Sequence, residues 1–68
     1  MGYSKTADNR EIRKRVLDTF HEYGNWWRTD RMAEWINTDE SKVAEVYKIL
    51  AKEDIIEMKS GKAKSKKK

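Results

Sequence analysis

No cysteine occurs in this 68-residue chain, and that absence limits its fold more than any other feature. A chain so short buries only about 60% of the surface its unfolded form exposes, which makes its stability marginal by size alone. Many small domains, secreted ones above all, add disulfides or a bound metal to such a core. Without cysteine neither a disulfide framework nor a thiolate zinc site can form, and a single histidine argues against a histidine-built metal site. No cofactor is expected. Apolar packing must therefore carry the fold. The longest apolar runs are pairs and triplets, so no membrane span and no secretory signal is expected, and a cytoplasmic protein is.

The apolar residues recur mostly at helical spacing. Asp8-Asn9-Arg10-Glu11 has the form of a capping box, in which Asp8 caps a helix and Glu11 reaches back. Ile12, Val16, Phe20 and Tyr23 follow as an apolar stripe widened by Leu17, and Gly24 offers a left-handed stop. The spacing predicts a first helix from about Asn9 to Tyr23. Asn25 to Arg28 then form a short connection in which, if it is extended, Trp26 and Trp27 point to opposite sides. Thr29 or Asp30 is expected to cap a second helix of about two turns, with Met32, Trp35 and Ile36 on its core face, ending near a left-handed Asn37. Thr38 or Asp39 restarts the chain into a third helix, whose Val43, Val46, Tyr47 and Leu50 lie at i, i+3, i+4 and i+7. It is expected to end around Lys52 or Glu53, with Asp54 at the turn. Ile55 to Met58 reads as a strand with Ile56 and Met58 on one face, and Ser60-Gly61 as a turn. Only Ala63 is apolar beyond that turn, so a return strand is not expected.

Charge divides the chain in two. Residues 59–68 carry six lysines and no acid, whereas residues 1–58 hold ten Lys and Arg against twelve Asp and Glu, a net of −2. The net charge of +4 is therefore made by the last ten residues. A flexible lysine tail attracts any polyanion without selectivity, and specificity must come from the body. The expected organisation is a flexible N-terminus over residues 1–7, a folded domain over 8–58 and a disordered basic tail over 59–68.

The run Thr29-Asp-Arg-Met-Ala-Glu-Trp-Ile-Asn-Thr-Asp-Glu-Ser-Lys-Val-Ala-Glu-Val-Tyr-Lys-Ile-Leu-Ala-Lys-Glu-Asp-Ile-Ile-Glu57 resembles the winged helix-turn-helix superfamily of DNA-binding domains. It has that family's capped short helix, polar turn, amphipathic helix and turn into a strand, and the resemblance covers about residues 8–60. It implies a mainly α fold with a small β element: three helices, a short or truncated wing, and the basic tail. Trp26-Trp27 would supply the family's small strand, paired with Ile55 to Met58. The third helix would enter the major groove of double-stranded DNA, presenting Glu40, Ser41, Lys42, Glu45, Lys48 and Lys52. Lys42 would reach guanine edges and Ser41 a base or phosphate, Glu45 would accept from a cytosine amino group, and Lys48 and Lys52 would meet phosphates. Arg28 and Arg31 would hold a phosphate at the entry to the second helix. Lys59, Lys62, Lys64 and Lys66 would track the backbone as part of the tail. The ordinary alternative for the third helix is a solvated face, with Glu45 paired to Lys42 or Lys48. Winged helices that read left-handed DNA place an asparagine and a tyrosine four apart on that helix. The corresponding residues here are Ala44 and Lys48, which do not match.

A second basic cluster, Arg10, Arg13, Lys14 and Arg15, lies near the start of the first helix and would extend a basic track around the acidic body. Trp35 and Tyr47 read as core residues and His21 as a surface residue. Of Trp26 and Trp27 one reads as core and the other as partly exposed. Simple packing is the ordinary reading for the pair, and an exposed tryptophan beside Arg28 would anchor a protein or stack a base. No nucleophile–base pair and no glycine-rich phosphate loop occurs, so no enzyme activity is expected. The reading is a small transcription regulator or chromatin-associated protein, nucleoid-associated and a monomer or weak homodimer. Its alternatives are a winged-helix protein-interaction module of a transcription or RNA-processing assembly, or an RNA- or ribosome-associated protein.

Overall fold

The computed structural model describes Lys5 and residues 8–66. The flexible N-terminus expected over residues 1–7 lies, Lys5 apart, outside the described residues, as do Lys67 and Lys68 of the expected tail. The order of elements is α1 (Asn9–Glu22), β1 (Trp27–Arg28), α2 (Thr29–Ile36), α3 (Glu40–Lys52), β2 (Ile56–Lys59) and β3 (Lys62–Ser65). The strands form one antiparallel sheet in the order β1-β3-β2. The layout is winged-helix-like, mainly helical with a small β element.

The helices begin and end for local reasons. The Asp8 carboxylate accepts from the Arg10 amide at 3.0 Å and caps α1, while Glu11 turns forward to Arg15 at 3.2 Å. The chain leaves α1 at Tyr23 in an extended conformation (φ −122°), so Gly24 does not supply the left-handed stop expected of it. Neither Thr29 nor Asp30 caps α2. Thr29 is its first helical residue and sends its hydroxyl to Glu40, and the extended residue before the helix is Arg28. Asp39 precedes α3 without a side-chain capping bond.

Two Schellman turns end α2 and α3. Asn37 (φ 59°) and Asp54 (φ 64°) are left-handed. The amides that follow them reach back, Thr38 to the Ala33 carbonyl and Ile55 to the Leu50 carbonyl, each at 2.9 Å. Glycine is the usual residue there, and Asn and Asp are the side chains that tolerate the conformation with least strain.

The core is one cluster. Ile12, Val16 and Phe20 of α1 meet Met32, Ala33 and Ile36 of α2, Val43, Val46, Tyr47 and Leu50 of α3, and Ile56 and Ala63 of the sheet. Trp35, expected in this core, is 44% exposed. Each helical residue advances by about 100°, so Met32, Ala33 and Ile36 span about 100° of arc and Trp35 falls about 60° outside it. Met58 shares the strand face of Ile56, as expected, but is 42% exposed near the hairpin tip. Tyr47 is fully buried, and its hydroxyl donates to the Trp27 carbonyl at 3.1 Å, which fixes β1 over α3.

The wing is where sequence and structure differ most. The expected disordered tail starting at Lys59 is instead ordered through Lys66. A two-residue turn at Ser60 (φ 49°) and Gly61 (φ 77°) joins β2 to β3, and positive φ at both positions is what a type I′ hairpin requires. β3 is the central strand of the sheet, so β1 pairs with it and not with β2 as expected. Ala63 lies opposite both Trp27 and Met58 and is fully buried. A small residue suffices there because its two neighbours bring the bulk. The Lys66 backbone N–H closes the ladder by donating to the Ile55 carbonyl at 3.1 Å.

Candidate nucleic-acid interface

Alternation along the strands divides the wing lysines from the core. Ile56, Ala63 and Trp27 face inward, which sends Arg28, Glu57, Lys59, Lys62 and Lys64 to the outer face. Register then aligns three cations: Arg28 is opposite Lys62, and Lys62 is opposite Lys59. Like charges directly opposite each other destabilise a sheet. Arg28 has partial relief from Asp30 at 3.4 Å. Lys59 and Lys62 have no carboxylate partner among the described residues.

This row leads to the third helix. Arg28 is followed by Thr29, whose hydroxyl lies 3.4 Å from the Glu40 carboxylate at the start of α3. From there Ser41, Glu45, Lys48 and Lys52 recur at i, i+4, i+7 and i+11, one exposed stripe along the whole helix. Lys42, the residue expected to reach bases, sits about 100° round the helix from Ser41 and is half-buried. Glu45 forms no ion pair with Lys42 or Lys48, so the salt-bridged alternative for this face is absent among the described residues. Its carboxylate stands free in the middle of the stripe.

The other expected contacts separate from this surface. The Lys66 ammonium is held by Asp54 at 2.6 Å, and that hydrogen bond raises its pKa. It bridges the wing to the α3–β2 turn. Arg31 is exposed beside Trp27, Glu34 and Trp35, on the aromatic side of α2. In the α1 cluster Arg13 pairs with Glu53 at 2.6 Å, while Arg10 and Lys14 remain exposed. Arg15 is buried, and its guanidinium donates to the Ile36 carbonyl at 3.1 Å at the C-terminal end of α2. The basic track expected through α1 therefore loses Arg15 to the fold.

Phe20 and Tyr47 pair inside the core with ring centroids 5.9 Å apart, and the remaining described aromatics lie around β1. Tyr23, Trp27 and Trp35 pack together with ring centroids 5.7–6.2 Å apart, Tyr23 and Trp35 keeping exposed edges. The Trp27 indole N–H is buried there with no hydrogen-bond partner among the described residues. Trp26 lies on the other side of β1, under Lys59 and Lys64. The opposite orientation of the two tryptophans was legible in the sequence, and the lysines over Trp26 were not, because they reach it only through the unexpected strand.

Among the described residues no cluster of His, Cys, Asp and Glu is arranged to hold a metal, and no helix is long and apolar enough to cross a membrane. Comparison of the chain with models of known protein families, with curated proteins and with solved structures finds no match.

Proposed function

We propose that this protein is a winged helix-turn-helix DNA-binding protein. It binds duplex DNA with α3 in the major groove and the wing on the adjacent backbone. It acts as a small transcription regulator or chromatin-associated factor in the cytoplasm, on the nucleoid. The observation that carries the reading is the row Lys59–Lys62–Arg28, which ends beside the first residues of α3. Phosphates laid along that row relieve the cross-strand repulsion. Lys48 and Lys52 continue the same attraction along the exposed stripe of the helix. Ser41, at its start, is placed to donate to a base or phosphate, and Glu45 to accept from a cytosine amino group while repelling other alignments.

Salt dependence tests the proposal. If Arg28, Lys48, Lys52, Lys59 and Lys62 each neutralise one phosphate, log affinity falls with log salt at a slope of roughly −4 to −5. Fluorescence anisotropy of a labelled random-sequence duplex across a salt series reads this slope. Lys48→Gln and Lys62→Gln are each expected to flatten it by about 1. A slope that neither substitution moves would contradict the proposed contact set.

One observation favours a second reading, a protein-interaction module. A buried donor without an acceptor costs about 1–3 kcal/mol, and the Trp27 indole N–H is such a donor beside the exposed rings of Tyr23 and Trp35. A partner that parts the rings of Tyr23 and Trp35 and brings a carbonyl or carboxylate to the Trp27 N–H would satisfy it.

A further inference from the structure

Trp26 is half-buried on the outer face of the sheet, and two wing ammoniums hang over its indole. The Lys64 nitrogen is 5.2 Å and the Lys59 nitrogen 5.9 Å from the ring centre. The register that sets Trp27 opposite Ala63 brings Trp26 level with Lys64, so the placement follows from the ladder. Neither lysine has an ion-pair partner within reach among the described residues, although Glu57 is the cross-strand neighbour of Lys64. Two like charges lie within 6 Å of one ring centre and repel each other. Lys64 also lines a cleft of about 400 Å³ between the end of α1 and the sheet, together with His21, Glu57 and Lys66.

An aromatic ring between two cations is the complement of one base between two phosphates. Duplex DNA does not offer that unit, because its bases are already stacked on one another. We propose that the outer face of the sheet is a single-stranded nucleic-acid site. One unpaired base stacks on Trp26, and Lys59 and Lys64 move from the ring to the phosphates on either side. The cation–π contacts are exchanged for base stacking and two charge pairs, which also ends the repulsion between the ammoniums. The cleft beyond Lys64 receives the neighbouring nucleotide, with the Glu57 carboxylate facing base donors. This site goes beyond the duplex reading, since it makes no use of α3. It shares Lys59 with the duplex track, so the two ligands compete.

The test compares labelled oligo(dT), oligo(rU), an abasic DNA strand of the same length and a random-sequence duplex, binding each to the full chain at one salt concentration. The abasic strand keeps every phosphate and removes the stacking. At least one of oligo(dT) and oligo(rU) is expected to bind about 5- to 100-fold tighter than the abasic strand. The preferred strand then identifies DNA or RNA as the source of the base. Trp26→Ala should abolish that difference, Trp26→Phe should keep most of it, and duplex affinity should change by less than about twofold in both. Equal binding of all three single strands to the unsubstituted protein would overturn the proposal, whatever the variants do. So would a Trp26→Ala loss that is the same for duplex and single strand. Base-dependent binding without duplex binding would sink the duplex reading alone, and duplex binding without base dependence would sink this one alone.

Discussion

Arg15 and Tyr47 are polar residues that the core has absorbed, and each ties two elements together. Arg15 is 8% exposed, with its guanidinium on the Ile36 carbonyl and its Nε on Glu11. A cation at the C-terminal end of α2 also meets the negative end of that helix dipole. Arg15→Met keeps the length and loses the donors, and is expected to cost about 1–3 kcal/mol in urea unfolding. Tyr47 carries a comparable test with a pH dependence. Burial raises the pKa of its hydroxyl above the ordinary tyrosine value. Below that value, near 10, folded and unfolded chains both keep the proton. Above it only the unfolded chain ionises, so this residue's contribution to stability falls as pH rises past about 10. Tyr47→Phe should lose about 1 kcal/mol at neutral pH, the hydrogen bond to Trp27, and should unfold less steeply with rising pH. Urea titrations on either side of that pH compare the two proteins.

At the scale of elements, the wing is structural as well as basic. Ala63 is fully buried between Trp27 and Met58, and β3 is the central strand that pairs with both others. A chain truncated after Gly61 should therefore lose cooperative thermal unfolding, followed by circular dichroism. If residues 62–68 were a disordered arm, the truncated chain would melt as the full one does. The same element shows why the sequence was only partly legible. α1 and α3 announce themselves through i, i+3 and i+4 apolar spacing, and Asn37 and Asp54 through a local tolerance of left-handed backbone, both properties of short windows. Trp35 was misplaced because a two-turn helix offers too few positions to fix its inward arc. β3 was missed because nothing inside Lys62 to Ser65 favours a strand. Its stability comes from Trp27, far away in sequence, and from the Ser60-Gly61 turn. For the candidate interface, the exposure of Ser41, Lys48 and Lys52 on one side of α3 was legible in the sequence, while the row Lys59–Lys62–Arg28 needed a register that only the folded sheet supplies.

For the whole molecule, the folded wing changes where the positive charge sits. Four of the six lysines after Met58 (Lys59, Lys62, Lys64 and Lys66) belong to ordered backbone, so most of the expected floating tail is a fixed surface. Fixed charge steers a polyanion into one orientation, whereas a disordered arm only raises its local concentration. On the opposite account the acidic body repels DNA and the lysines merely solubilise the chain. The direct test is a titration of ¹⁵N-labelled protein with a random-sequence duplex, followed amide by amide in NMR. The expected result is a contiguous set of shifts at Ser41, Glu45, Lys48 and Lys52 on α3, at Arg28, and at Lys59 to Lys62 on the wing. Shifts confined to the last residues of the chain, shifts centred on Tyr23 and Trp35, or no shifts would each contradict duplex binding through α3 and the wing.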